Sequence, residues 1–244
     1  MTSNIPPIHI DIINESTVCT DAEVSAMVRA LQIQVSQHFC PVWGADAYLT
    51  FIPRGHQPYP QHWWIAVLNN SDMAGALGYH DVTSIGHPLG KVFAGTDKQY
   101  GYSVSVTLSH ELLEILIDPY INLTAQMPDG NFYAYEVCDA IEADELGYLI
   151  NGILVSDFVY PAWFEGALPG ARIDQMQHLH SGCPTLGAGG YISYYDPNTG
   201  QWHQYTARTD PNTQYRARAP VGSRRERRTI PIHQRIISTI KPRP

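Results

Sequence analysis

The stretch Val106-Thr-Leu-Ser-His-Glu-Leu-Leu-Glu-Ile-Leu-Ile-Asp-Pro119 constrains this 244-residue chain more than any other. Leu108, Leu112, Leu113, Ile115, Leu116 and Ile117 are apolar on most sides of a helix, and such a helix belongs in a core. Pro119 forbids continuation past Asp118, and Thr107 or Ser109 can cap the start. Set into this greasy run are His110, Glu111, Glu114 and Asp118. Residues four apart share a helix face, so His110 and Glu114 project together, with Asp118 one turn further. A buried carboxylate without a counter-charge is costly, and a divalent cation satisfies an imidazole and a carboxylate at once.

The pattern His110-Glu111-Leu-Leu-Glu114 differs by one residue from H-E-x-x-H, in which two histidines hold zinc and the intervening glutamate is a general base. Glu111 occupies the base position. The competing reading is a buried ionic cluster in which carboxylates pair with imidazole and backbone donors. Asp118 reads as a helix-end residue held by the Asp-Pro turn, and Cys138 as a small packing residue. His80, His87, Tyr160 and His203 read as ordinary loop or core residues.

Composition bounds the classes. Hydrophobic residues at 44% and charged residues at 16% describe a packed globular chain, not a disordered one. No 18-residue apolar run occurs, and the amino terminus lacks a basic start followed by an apolar segment, so the expectation is a cytoplasmic protein with no membrane partner. Cys19, Cys40, Cys138 and Cys183 show no C-x-x-C spacing and read as reduced thiols. The net charge of −8 is uneven: residues 207–244 carry ten Lys/Arg against two acids, leaving five against 21 in the body. An acidic body with a basic tail can pair with itself or with a second copy. A body at −16 repels phosphate, which argues against nucleic acid.

In chain order, Ile8–Ile13 reads as a strand. Thr20-Asp-Ala-Glu23 has the form of a capping box and opens a helix reaching Phe39. Ala47–Ile52 and Trp63–Leu68 read as neighbouring core strands, and Ala74–Asp81 and Lys91–Ala94 as short edge strands. Residues 150–160 read as a β-type pair, and 190–205 as a hairpin turning at Asp196-Pro-Asn-Thr-Gly200. Gly182–Gly190 lacks the strand and helix context of a phosphate loop.

This order, closing on His110-Glu111-Leu-Leu-Glu114, resembles the catalytic half of zincin metallopeptidases, in which an edge strand holds substrate beside the metal-bearing helix. Tyr133-Ala-Tyr-Glu-Val-Cys-Asp-Ala-Ile-Glu142 resembles the second helix of the thermolysin-like branch. The motifs Ser-His-Glu-Leu-Leu-Glu, Tyr-Glu-Val-Cys-Asp and Val-Ser-Asp-Phe also resemble a bacterial and phage-borne protein family over about residues 8–206, which implies no particular activity. The zincin resemblance implies an α+β fold: a zincin-like mixed sheet with an N-terminal helix and a buried metal-site helix, in a domain 1–206 that includes the hairpin. A basic extended tail, 207–244, follows. It further implies His110, Glu114 and Glu136 as metal ligands, Asp139 as the carboxylate that orients the ligand histidine, and Glu111 as catalytic base.

With two carboxylates and one imidazole, Zn²⁺ is the first expectation, and Mn²⁺, Fe²⁺ or Ca²⁺ are alternatives. The function expected is metal-dependent hydrolysis of a peptide or amide bond in a peptide or protein substrate. The rival is a non-catalytic structural or assembly protein, virion-associated, whose tail 207–244 binds neighbouring subunits in a homo-oligomer.

Overall fold

The structure, a computed structural model, describes residues 8–72, 76–166 and 169–207. The expected basic tail therefore lies outside the described residues from 208 onward, as do Ala74 and Gly75 of the first expected edge strand.

The chain is α+β. β1 (Ile8–Asn14) leads through the Thr20 cap into α1 (Asp21–Ile33). Thr20 Oγ1 accepts from the Glu23 N–H at 3.2 Å, and Glu23 Oε2 accepts from the Thr20 N–H at 2.6 Å, so both end donors are satisfied reciprocally. Val24, Val28 and Leu31 form its buried stripe. The helix continues to Phe39 as the spacing predicts, but residues Gln34–Phe39 widen into a π-helical turn. Gln34 is buried there and its Nε2 donates to the Ser156 carbonyl at 2.8 Å. The short α2 (Cys40–Trp43) ends at Gly44, whose φ of 70° requires glycine-like freedom.

β2 (Ala47–Ile52) and β3 (Trp63–Leu68) have the bounds the residues predict, but they are not neighbours. β1 lies between them, parallel to both, in a five-stranded sheet ordered β2-β1-β3-β5-β4. The reason is connectivity: a parallel strand following β1 must return through a crossover, supplied by α1. β5 (Pro88–Phe93) is internal and parallel to β3, whereas β4 (Gly78–Val82) runs antiparallel at the sheet's end. Of the two expected edge strands, only β4 is one.

After α3 (Ala94–Tyr100), α4 (Val104–Ile117) packs across β4 and β5. It begins before Thr107 and Ser109, so neither hydroxyl caps it. Thr107 Oγ1 instead donates to Asp97 Oδ1 at 3.0 Å, and Ser109 Oγ accepts from the Ser156 N–H at 2.8 Å. Residues 104–116 are buried without exception.

The expected second helix over 133–142 does not form. β7 (Phe132–Ala134) takes its first residues into a sheet ordered β11-β10-β7-β6, with β6 (Thr124–Gln126), β10 (Tyr191–Asp196) and β11 (Gln201–Thr206). Tyr133 lies opposite both Ala125 and Tyr194, and stacks on the latter with ring centroids 5.3 Å apart. Such cross-strand pairing overrides helical spacing, and within 133–142 the helical content is a 3₁₀ turn, Asp139–Ile141. The β10–β11 hairpin forms as its turn residues predict, whereas the β-type pair expected over 150–160 is shifted towards the amino terminus, as a hairpin of β8 (Tyr148–Ile150) with β9 (Ile153–Val155). The latter turns at Asn151 and Gly152, both at positive φ. After β9, α5 (Pro161–Glu165) buries Trp163 and Phe164 in a core cluster shared with Ile10, Val67, Leu112 and Ile192.

Candidate metal centre

Two elements, the 3₁₀ turn and β4, converge on α4. His110 and Glu114 lie one turn apart, so His110 Nε2 stands 3.1 Å from Glu114 Oε1. The 3₁₀ turn brings Asp139 Oδ1 to 3.2 Å from the same nitrogen. On the opposite side β4 contributes His80, whose Nδ1 is 3.4 Å from Glu111 Oε2 and 3.7 Å from Glu114 Oε2. Two groups with ligand atoms mutually within 4.8 Å result: His110, Glu114 and Asp139, and His80, Glu111 and Glu114. All five residues are at most 1% exposed.

The residues expected at the site are thus only partly brought together. His110, Glu111 and Glu114 meet because one helix carries them. Asp139, expected to orient a ligand, stands at ligand distance itself. Glu136, expected to be the third ligand, is fully buried but belongs to neither group, because the segment that carries it is not helical. His80, read from sequence as an ordinary residue, is the addition. Its signal was its place in a strand preceding the helix, which acquires meaning only once β4 is known to pack on α4.

Glycines make these approaches possible. A Cβ on Gly78 would lie 2.8 Å from Glu111 Oε1 and from Thr107 Cγ2, so β4 can rest on α4 only without a side chain there. A Cβ on Gly190 would lie 2.1 Å from the Ala140 carbonyl oxygen. The Gly-rich segment therefore buttresses the turn that presents Asp139.

Donor chemistry and spacing both suit a divalent ion. Bonds of about 2.0–2.2 Å put neighbouring ligand atoms about 2.8–3.1 Å apart in an octahedron and about 3.3–3.6 Å apart in a tetrahedron. The observed 3.1 and 3.2 Å lie at the upper end of the octahedral range and just above it. Among the described residues Lys91 is the sole buried Lys or Arg, and Asp72 takes it at 2.5 Å. The Cys138 thiol beside the turn is pushed well above its ordinary pKa by burial and then by Glu114, so it remains a neutral thiol. Asp118 holds the helix end, accepting from the N–H groups of Asn122 at 2.9 Å and Leu123 at 3.0 Å.

A second acidic pair lies beyond the cluster. Burial, and then a hydrogen bond with the Asp174 carboxyl, push Asp157 up to about 9 from 3.8. A raised folded-state pKa gives stability that is complete below about 4 and lost as pH rises through about 9. Thermal melts across pH 5–9 are expected to fall for the native chain and to flatten for Asp157→Asn, which should be the more stable of the two at pH 9.

The groove bounded by Met127, Trp163, Phe164, Arg172, Ile173 and His180 shares no residue with either cluster. No described helix is long and apolar enough to cross a membrane. Comparison with protein-family models, curated proteins and solved structures returns no match for this chain.

Proposed function

We propose that this chain is a divalent-cation-dependent hydrolase of peptide or amide bonds, with a zincin-like site. The observation that carries the reading is the approach of His110 Nε2 to Glu114 Oε1 and Asp139 Oδ1 at 3.1 and 3.2 Å, deep in the core. His110, Glu114 and Asp139 would hold the ion. When bound, Zn²⁺ or a harder relative such as Mn²⁺, Fe²⁺ or Ca²⁺ supplies Lewis acidity that activates water and polarises a carbonyl.

The chain's own groups do the rest. Glu111, adjacent to His110 on the same helix, accepts the proton of the attacking water and returns it to the leaving amine. Asp139 stands as a ligand beside His110 rather than behind it, and His80 stands beside Glu111 on its other flank. The low dielectric around the cluster strengthens each of these interactions. The mixed sheet with an antiparallel strand at its end, and α4 packed across it, supports the zincin resemblance.

One observation favours a second reading, in which the cation is structural and the chain serves assembly. All five residues of β4 are buried, as is the cluster, and structural metal sites are closed where catalytic ones keep an open position. The deciding experiment measures cleavage of a mixed peptide library by the native chain, the chelated chain and the chelated chain given Zn²⁺. Cleavage lost on chelation and restored by Zn²⁺ supports the hydrolase. A stoichiometric cation without cleavage leaves the structural reading, and folded protein that takes up no cation ends both.

A further inference from the structure

We propose that the chain holds a second divalent cation, between His80 on β4 and Glu111 and Glu114 on α4, with Glu114 bridging the two ions. The inference rests on the cation reading above and extends it to a paired site.

The first argument is the orientation of the His80 ring. Its Nε2 lies 3.2 Å from the Asp118 carbonyl oxygen, which can only accept, so Nε2 carries the hydrogen. In the neutral ring Nδ1 then presents a lone pair, and it presents it to two carboxylate oxygens. An imidazole fixed by a backbone carbonyl on one nitrogen and facing acidic oxygens with the other has the arrangement of a metal ligand.

The second argument is distance. Were His80 an imidazolium bonded directly to these acids, the charge-assisted contacts would be about 2.7–2.9 Å. They are 3.4 and 3.7 Å, close to the edge of a tetrahedron of N and O ligands around a zinc-sized ion, about 3.3–3.6 Å.

The third is the division of Glu114. Its Oε1 faces His110, and its Oε2 faces His80. One carboxylate that offers an oxygen to each side spans the separation of about 3.5–4 Å typical of paired ions.

In the two-ion state Glu111 is a ligand, and its role as base belongs to the state with one ion.

Titration of the chelator-stripped full chain with Mn²⁺, followed by calorimetry and electron paramagnetic resonance, tests the assignment. Two equivalents are expected to bind per chain, with a spin-coupled Mn²⁺ pair signal at two equivalents and not at one. His80→Ala is expected to weaken the second equivalent more than tenfold and spare the first. Saturation of the native chain at one equivalent, or two equivalents undiminished in His80→Ala, overturns the second site and leaves the first standing. No uptake at all overturns both. The native stoichiometry and the coupled signal decide the matter even if the variant does not fold.

Discussion

Replacing Glu111 with Gln is expected to lower kcat for peptide or amide cleavage by about 10²–10⁴-fold, the usual contribution of a positioned acid–base group. Glutamine keeps the shape of the side chain and its packing against Gly78, where a Cβ would already come within 2.8 Å of Oε1. What it loses is the capacity to accept a proton. The assay belongs at one equivalent of cation, where Glu111 is not required as a ligand, and metal analysis should show that equivalent still bound. A variant that cleaves at the native rate would remove Glu111 from the reaction.

Stripping the cation is expected to lower the melting temperature by about 8–16 °C. Ligand at 1,000 times its Kd contributes about 4 kcal/mol of folded-state stability, and about 2–4 °C accompanies each kcal/mol in a chain of this size. The expected origin lies in Glu111, Glu114 and Asp139, none more than 1% exposed, whose close approach in a low-dielectric interior an ion among them would relieve. Glu114→Gln should abolish most of the difference between stripped and loaded chains, since its two oxygens serve both groups. Scanning calorimetry with and without chelator measures it. Identical melts for metal-free and metal-loaded protein would mean that protons on the carboxylates, rather than a cation, make the burial tolerable.

What the residues foretell depends on how far apart the interacting groups lie in the chain. The Thr20 capping box, the strands Ala47–Ile52 and Trp63–Leu68, the hairpin at Asp196–Gly200 and the central helix are all governed by neighbours within a few positions, and their signals are local. The insertion of β1 between β2 and β3 is a tertiary choice, as is the capture of Tyr133 by β6 and β10. Helical spacing over 133–142 could not reveal that a sheet would claim its first residues.

The site divides in the same way. His110, Glu111 and Glu114 are legible because a helical repeat joins them. Asp139 falls in one of the two groups and Glu136 in neither because the expected helix over 133–142 does not form, and His80 arrives from 30 positions upstream of His110 through sheet packing. Composition carried no hint of either.

The antiparallel pairing of β4 with β5, Gly78 opposite Val92 through Val82 opposite Pro88, has one more effect. Side chains alternate between the two faces of a strand, so sliding β4 by a single position would carry His80 to the far side and bring Tyr79 or Asp81 towards α4. Terminal strands are the part of a sheet most easily peeled away. The His80 imidazole therefore faces Glu111 and Glu114 only when the last strand pair of the sheet closes in register, so the proposed second cation site depends on that margin.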